Sequence, residues 1–359
     1  MNKKRLIAAL SAVAVIATLF AGCTGSSDSG DKKEDSNKKA SDIKVGMATD
    51  QGGLGDKSFN DSAYEGLQEI QKEYGIKPTV LQSKQQENYE PNLKNLGKDC
   101  DITFAVGAMM KDSAEKVAKD MPDKNFALID EVSDLPNIKS LTFKEQEGSF
   151  LMGVIAGSMT KTNKVGFIGG MDIPTIQRFE AGYAAGVKAV NPAAAEGLIN
   201  DTTVKYAGNF TDSNKGYELA KALYNDGCDV IFHAAGAVGL GMFKAAKETG
   251  NWAIGVDQDQ AESVPEYKDV ILSSMIKKVD VATYDATKEV IEGTFKAGKG
   301  NEMVLGLKEG GVDMALTTKN NTPEDVIKLA EKYKQAIIDG KIKVPDTPEE
   351  VKEFKAPQI

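Results

Sequence analysis

Two stretches of this 359-residue chain, CDITFAVGA at residues 100–108 and CDVIFHAAGA at residues 228–237, decide its fold. Each begins with a Cys-Asp pair, continues as a short apolar run and ends in a loop of small residues. Each is followed by a helical segment and then by a second apolar run that ends in an aspartate, Asp130 in one case and Asp257 in the other. The two aspartates follow their Cys-Asp pairs at nearly equal distances. The sequence therefore contains one structural unit twice.

The segments that precede these stretches also resemble one another. Phe59 is followed by Ala-Tyr-Glu-Gly at residues 63–66, and Phe179 by Gly-Tyr-Ala-Ala-Gly at residues 182–186. Each segment is predicted as the helix directly after the first strand of a sheet. Two lobes of one topology, placed in tandem along the chain, explain this pattern.

Between residue 43 and about residue 340, apolar runs typical of strands alternate with amphipathic helical segments such as Ser58–Tyr74 and Ser213–Asp226. This alternation predicts parallel sheets with helices on both faces. Because about 300 residues exceed what one such core holds, we expect an α/β protein with two doubly wound lobes. A last helix is predicted at Thr322–Lys334, packed back on a lobe. The predicted strands are Ile43–Thr49, Thr79–Gln82, Ile102–Val106, Phe126–Ile129, Ile138–Phe143, Val165–Ile168, Val204–Tyr206, Val230–His233, Trp252–Val256 and Val270–Met275.

Three aspartates stand where a ligand site is expected. Doubly wound lobes bind ligands at the carboxyl ends of their strands, here in a cleft between the lobes. Asp50, Asp130 and Asp257 each end a predicted strand, so all three are expected at this cleft. The alternative interpretation is that Asp50 only ends its strand and has no ligand.

The loop QGGLGDKSFND at residues 51–61 leads from the first strand into the first helix. Its glycines permit a tight turn, and Ser58 is expected to cap the helix with its side chain. Phe59 then falls in the first helical turn, where its ring would project into the cleft. The alternative interpretation places Phe59 in the core.

The N-terminus is typical of a lipoprotein leader. A basic start precedes about fifteen mostly apolar residues, a run too short to span a bilayer comfortably. The sequence LFAGC at residues 19–23 follows, and Cys23 stands where bacterial lipoproteins accept a lipid. We therefore expect a signal peptide at residues 1–22 and a polar, disordered tether at residues 23–42. An ordinary signal peptide with an incidental Cys is the alternative.

Composition excludes several classes of function. The formal charge of −9 becomes −12 when the three basic residues of the leader are removed, and no basic patch with interleaved aromatics occurs, so nucleic acid is not an expected partner. Cys100 and Cys228 lack a CxxC partner, and their matching places in separate lobes predict two free, buried thiols. His233 lies in an apolar run and is interpreted as structural. We expect no metal site and no cofactor.

A series of motifs connects the chain to a known family. In this order and over about residues 43–316, the motifs resemble those of the basic membrane protein (BMP) family of lipoproteins, the substrate-binding components of ABC importers for nucleosides, of the purine nucleoside receptor type. The motifs are DQGGLGDKSFN (50–60), FALID (126–130), EGSFLMG (147–153), GGMDIP (169–174), GNFTD (208–212), IGVDQD (254–259) and SSMIKKVD (273–280).

The resemblance implies the fold of type I periplasmic binding proteins, with a central cleft and three hinge crossings. The crossings are expected near residues 143–147, 274–277 and 305–308. The implied division is lobe 1 at 43–145 plus 277–306, lobe 2 at 146–276 plus 307–320, and a C-terminal helix and tail at 321–359.

The resemblance also implies a binding site for a neutral nucleoside. Ring stacking contributes roughly 1 to 3 kcal/mol per base, and a cis-diol pairs well with a carboxylate, while several acids in one cleft would repel phosphate. The implied residues are Phe59 and Phe210 for the two faces of a purine, Asp50, Asn60 and Asp130 for its edge, and Asp257 and Lys277 for the ribose hydroxyls.

The implied partners are the nucleoside, the permease of the importer and the membrane, through a lipid on Cys23, with the protein itself a monomer on the extracytoplasmic face. Alternatives remain at this point. The same fold could serve a sensor or adhesin with another aromatic ligand or a protein partner, or a nucleoside-cleaving enzyme that uses the cleft acids. The sequence also leaves open which nucleoside binds and whether Lys277 or its neighbour Lys278 lines the cleft.

Overall fold

The computed structural model describes residues 40–357 and 359, and its strands form two separate six-stranded sheets. All ten predicted strands are present, with ends within two residues of those expected, while two strands of three residues each were not predicted. The strands are β1 (Val45–Thr49), β2 (Thr79–Gln82), β3 (Ile102–Val106), β4 (Asn125–Ile129), β5 (Ile138–Phe143), β6 (Val165–Gly169), β7 (Val204–Tyr206), β8 (Val230–Ala234), β9 (Trp252–Asp257), β10 (Ile271–Lys277), β11 (Met303–Leu305) and β12 (Val312–Met314).

Helices connect these strands. The α-helices are α1 (Phe59–Tyr74), α2 (Tyr89–Asp99), α3 (Lys111–Asp120), α4 (Glu145–Met159), α5 (Pro174–Val190), α6 (Pro192–Ile199), α7 (Ser213–Asn225), α8 (Val238–Thr249), α9 (Gln260–Ser263), α10 (Val279–Ile291), α11 (Glu324–Ile338) and α12 (Pro348–Glu353). Short 3-10 helices occur at Ala40–Asp42, Gln86–Asn88, Ala108–Met110, Pro265–Val270 and Leu316–Asn320.

The two sheets have one topology. The first has the order β11-β5-β4-β3-β1-β2 and is parallel throughout, and the second has the order β12-β10-β9-β8-β6-β7, with β12 antiparallel to β10. We call the part of the chain around the first sheet lobe 1 and the part around the second sheet lobe 2. The predicted α/β fold with two doubly wound lobes is confirmed. Strands β11 and β12 were not predicted.

The chain passes between the sheets three times, after β5, between β10 and β11, and between β11 and β12. Backbone hydrogen bonds join the crossing segments: Lys144 N donates to Leu305 O at 2.9 Å, and Lys278 N donates to Gly311 O at 2.8 Å. The three crossings implied by the family resemblance are therefore present, and they lie side by side.

The repeated glycines of the first helices have a packing role. Helix α1 lies against α10, and α5 lies against α4, so each packs on a helix that directly follows a crossing. A Cβ on Gly66 would lie 2.0 Å from Asp280 O, and one on Gly186 would lie 2.0 Å from Phe150 O. Such distances leave no space for a side chain. The sequence repeat therefore records the same close helix contact in both lobes.

Two ends of the chain differ from expectation in detail. Ala40–Asp42, the last part of the predicted tether, forms a 3-10 turn, while the rest of the tether, the signal peptide and Cys23 lie outside the described residues. The predicted last helix is α11, which runs from Glu324 to Ile338, four residues beyond its predicted end, and the short helix α12 follows it. The Tyr333 ring of α11 lies 5.4 Å from the Phe150 ring of lobe 2, and the Phe354 ring, directly after α12, lies 6.0 Å from it.

The two cysteines and the histidine that were predicted to be structural are buried. Cys100 and Cys228 are both free and buried, which confirms the prediction. His233 is fully buried, its Nε2 lies 2.9 Å from Gln260 Oε1, and burial lowers its pKa to about 4. A neutral imidazole held in the core by an amide agrees with a structural role.

Candidate ligand-binding site

A pocket lies between the lobes, at the carboxyl ends of both sheets. The space between its walls, including the part open to solvent, is about 600 Å³. All seven residues proposed from the sequence line it: Asp50, Phe59, Asn60, Asp130, Phe210, Asp257 and Lys277. The fold thus brings together side chains that are more than 200 positions apart in the sequence.

Asp130 and Asp257 occupy matching places in the two lobes. Asp130 follows β4 and Asp257 ends β9, and both have left-handed backbone conformations with φ of 73° and 66°. Such conformations are uncommon outside glycine, although Asp adopts them more readily than most residues. The left-handed turn ends the strand and places both carboxylates at the pocket.

The third strand-end carboxylate, Asp50, is held by the loop that follows it. Its Oδ1 accepts from Gly52 N and from Asn60 Nδ2, each at 2.8 Å. Burial raises the pKa of Asp50 to about 6, and these hydrogen bonds oppose the shift. Asn60 Oδ1 is buried without a hydrogen-bond partner among the described residues, so it is available to a polar ligand.

Asp56 organises this loop and was missed in the sequence. Its carboxylate accepts from Ser58 N at 3.1 Å, from Asn60 N at 2.9 Å and from Asn60 Nδ2 at 3.0 Å. It therefore satisfies the free amides at the start of α1, which is the capping role that we assigned to Ser58. The signal was present in the sequence, since an Asp shortly before a helix commonly accepts from nearby backbone amides, and Asp56 stands three residues before Phe59.

The Ser58 side chain does not cap α1, contrary to the prediction. Its hydroxyl instead donates across the cleft to Asp257 Oδ2, so it joins lobe 1 to lobe 2. Burial raises the pKa of Asp257 to about 7, although Lys277 and the Ser58 hydroxyl oppose the shift. A cap prediction considers only local neighbours, and here a partner from the other lobe competes for the hydroxyl.

Lys277 is the cation of the pocket, and Lys278 does not line it. The Lys277 ammonium lies 2.7 Å from the Asp130 carboxylate and 3.1 Å from Glu145 Oε1. Burial lowers the pKa of Lys277, but the two carboxylates outweigh burial, and the pKa is raised. Asp130, which was assigned to the base edge, is thus paired with the residue that was assigned to the ribose.

Aromatic side chains provide the apolar surface. Phe59 and Phe210 line the pocket as predicted, and Phe179, which the sequence analysis did not assign to the site, lines it too. The Lys277 ammonium lies 5.1 Å from the ring centre of Phe59 and 5.4 Å from that of Phe179, within the range of cation–π attraction. The Phe210 ring packs on the backbone at Gly170, where a Cβ would lie 2.2 Å from it.

Two further features concern the described residues. They contain no group of three or more His, Cys, Asp or Glu suited to a metal ion. None of their helices combines the length and the apolarity needed to cross a bilayer.

Comparisons with known proteins agree with this architecture. Residues 43–348 match the Bmp family, described as ABC transporter substrate-binding protein PnrA-like. The chain is 40% identical to the CD4+ T-cell-stimulating antigen of Listeria innocua, over 97% of this chain and 100% of that protein. It is 37% identical to the ABC transporter nucleoside-binding protein BmpA of Lactococcus lactis subsp. cremoris, over 96% of this chain and 99% of that protein.

A solved structure shows the same fold. The ABC transporter system solute-binding protein from Aeropyrum pernix K1 is similar with a TM-score of 0.74 at 31% sequence identity, and the match covers 87% of this chain and 96% of that one.

Proposed function

The chain belongs to the Bmp family of ABC transporter substrate-binding proteins, and on that premise we propose that it captures a nucleoside, most favourably a purine nucleoside, and delivers it to the permease of an ABC importer. The observation that carries the proposal is the pairing of aromatic rings with buried carboxylates in one pocket. The rings of Phe59 and Phe210 suit a flat heterocycle, and the carboxylates suit the donors of a base edge and a sugar.

The charges favour a neutral ligand. The Lys277 ammonium is already paired with two carboxylates, so it does not offer an unpaired positive charge to a phosphate. Asp50 and Asp257 add negative charge whenever they are ionised, and the pKa values of about 6 and about 7 place that ionisation near neutral pH. A phosphate group in this pocket would be repelled, so nucleotides should bind more weakly than nucleosides.

Calorimetric titration tests the ligand class. Guanosine, inosine, adenosine, uridine, guanine and guanosine 5′-monophosphate are titrated into the ligand-free protein. We expect a purine nucleoside to bind most tightly and the monophosphate to bind weakly. Binding of nucleotides as tight as that of nucleosides, or of none of these compounds, would contradict the proposal.

The Asp257→Ala variant tests whether Asp257 binds the ribose hydroxyls. It should weaken guanosine binding more than guanine binding, because a site that pairs a hydroxyl discriminates strongly against a ligand without one. An equal loss of affinity for guanosine and guanine would show that Asp257 does not bind the ribose. Chromatography of the same mixtures for free guanine tests the enzyme alternative, since a transport receptor returns its nucleoside intact.

We also propose that the mature protein is a lipoprotein, anchored through Cys23 on the extracytoplasmic face. The proposal is supported by the sequence before Cys23 and by membership in a family that delivers ligands to a membrane transporter. Cys23→Ala should release the protein from membranes or leave uncut precursor. A variant of mature size that stays in the membrane fraction would contradict the anchor.

A further inference from the structure

A fully buried acid stands behind the cation of the pocket. Glu145 is the first residue of α4, directly after the first crossing, and neither it nor Arg178 of α5 lines the pocket. Glu145 Oε1 lies 3.1 Å from the Lys277 ammonium, and Glu145 Oε2 accepts from Arg178 Nε at 2.6 Å. Glu145 therefore contacts a cation with each of its oxygens.

The two carboxylates around Lys277 come from different lobes. Lys277 ends β10 of lobe 2, Glu145 begins a helix of the same lobe, and Asp130 follows β4 of lobe 1. Glu145 thus holds the ammonium from within its own lobe, whereas Asp130 reaches it across the cleft. A lysine side chain has many rotamers, and a buried ammonium needs a nearby acid, so the ion pair with Glu145 restricts Lys277 and offsets its charge from within lobe 2.

We propose that Glu145, which accepts a hydrogen bond from Arg178, is the positioning residue for Lys277 and a determinant of ligand specificity. This inference rests on the proposed function. Glu145 sets the ammonium where a ribose hydroxyl would meet it, and it removes the positive charge that would attract a phosphate. The position of the Lys277 ammonium would then favour ribosides over free bases. The absence of an unpaired positive charge would favour nucleosides over nucleotides.

The chain offers a matched control. Glu180 is also a buried glutamate of lobe 2, it lies on α5 like Arg178, and it does not line the pocket. Its carboxylate accepts from the Tyr206 hydroxyl rather than from a cation. Glu180→Gln therefore removes a buried acid of the same lobe without touching Lys277.

Glu145→Gln, Arg178→Met and Glu180→Gln are titrated with guanosine, guanine and guanosine 5′-monophosphate beside wild type. The preference for guanosine over guanine should fall roughly tenfold in Glu145→Gln and by a smaller factor in Arg178→Met, because both disturb the position of Lys277. Relative binding of the monophosphate should rise in Glu145→Gln and fall in Arg178→Met, since one variant removes a negative charge and the other a positive one. Glu180→Gln should change neither ratio.

A measurement without ligand separates this inference from the proposed function. In ligand-free protein labelled with 15N-lysine, the wild-type Lys277 ammonium should give a resolved 1H–15N correlation, because buried, hydrogen-bonded protons exchange slowly. The signal should keep its chemical shifts in Glu180→Gln and move in Glu145→Gln, because the ammonium loses its second carboxylate there. Failure of wild type to bind any nucleoside would overturn the function alone. An unmoved signal in Glu145→Gln, or unchanged ratios in both Glu145→Gln and Arg178→Met, would overturn the positioning role.

Discussion

Asp130 and Asp257 show how one repeated position acquires two chemical environments. Both end matching strands, both are buried and both have positive φ. The Asp130 carboxylate accepts a hydrogen bond from the Lys277 ammonium, which lies 2.7 Å away, whereas the Asp257 carboxylate accepts one from the uncharged hydroxyl of Ser58. Burial raises the pKa of both carboxyls, to about 7 at Asp257, and the Lys277 ammonium opposes both shifts, but it donates a hydrogen bond only to Asp130.

The difference arises from the group that each carboxylate binds. Lys277 stands at the second crossing and donates to the Asp130 carboxylate, whereas Ser58 donates to the Asp257 carboxylate from the start of α1. At the start of α5, Thr175 donates its hydroxyl to the backbone O of Asp130 and not to its carboxylate. A duplicated topology therefore sets where the carboxylates lie, and the contacts across the cleft set which group each carboxylate binds.

Removal of the shared cation should have the largest effect. Lys277→Met leaves Asp130 and Glu145 buried without their ammonium, and we expect a loss of about 3 to 5 kcal/mol in the free energy of unfolding. Urea denaturation measures it. Lys278→Met is the adjacent control and should cost less than about 1 kcal/mol. Equal costs for the two variants would show that the buried ion pairs do not distinguish these lysines.

Equivalent substitutions of the two aspartates should act in opposite directions at neutral pH. The folded-state pKa of Asp257 is raised from 3.8 to about 7, so its contribution to stability is complete below pH 3.8 and is lost as the pH rises towards 7. Asp257→Asn cannot ionise and should gain stability over wild type across that interval, up to about 4 kcal/mol at pH 7.5.

Asp130→Asn supplies the contrast. It leaves the Lys277 ammonium with one carboxylate, so at pH 7.5 it should lose about 2 kcal/mol. Urea denaturation of both variants and wild type at several values between pH 4 and 7.5 makes the comparison. Changes of the same sign in the two variants at pH 7.5 would refute the difference between the lobes.

The two lobes can also be compared through the aromatic side chain that each contributes to ligand binding. Phe59 of lobe 1 and Phe210 of lobe 2 should each contribute to stacking, so replacement of either by Ala should weaken guanosine binding by about 1 to 3 kcal/mol. Tyr64→Ala, a change in the same helix as Phe59 but away from the pocket, should leave the dissociation constant unaltered. If one phenylalanine is without effect in calorimetric titration, that lobe does not stack on the base.

The smallest effect is expected at the hydroxyl that joins the lobes. Ser58→Ala removes the donor to Asp257 and should cost about 1 kcal/mol in the free energy of unfolding at pH 7.5. The matched control is Ser149→Ala, because the buried Ser149 hydroxyl has no hydrogen-bond partner in the part of the chain that the structure describes. A cost no larger than that of the control would show that the contact across the cleft adds no stability.

The sequence by itself predicted the two repeated lobes and part of the pocket lining, while it missed Asp56 and Phe179. Ten of the twelve strands that the structure describes follow from hydrophobic periodicity, and the two lobes follow from a repeat of Cys-Asp pairs, strand-end aspartates and helix glycines. These are local signals, because an apolar run, a turn and a close helix contact each need particular residues at short spacing. The family resemblance added Asn60, Phe210 and Lys277, all of which line the pocket.

The tertiary structure alone decided which of these residues meet. It paired Asp130, predicted for the base edge, with Lys277. It turned Ser58 from its helix towards Asp257, and it placed Glu145 next to the Lys277 ammonium. Each of these contacts joins residues between 130 and 200 positions apart or across the cleft. Hydrogen bonds and burial depend on which groups are close in space. The pKa values of the site residues therefore depend on how the three crossings bring the lobes together. No spacing within the sequence records that arrangement.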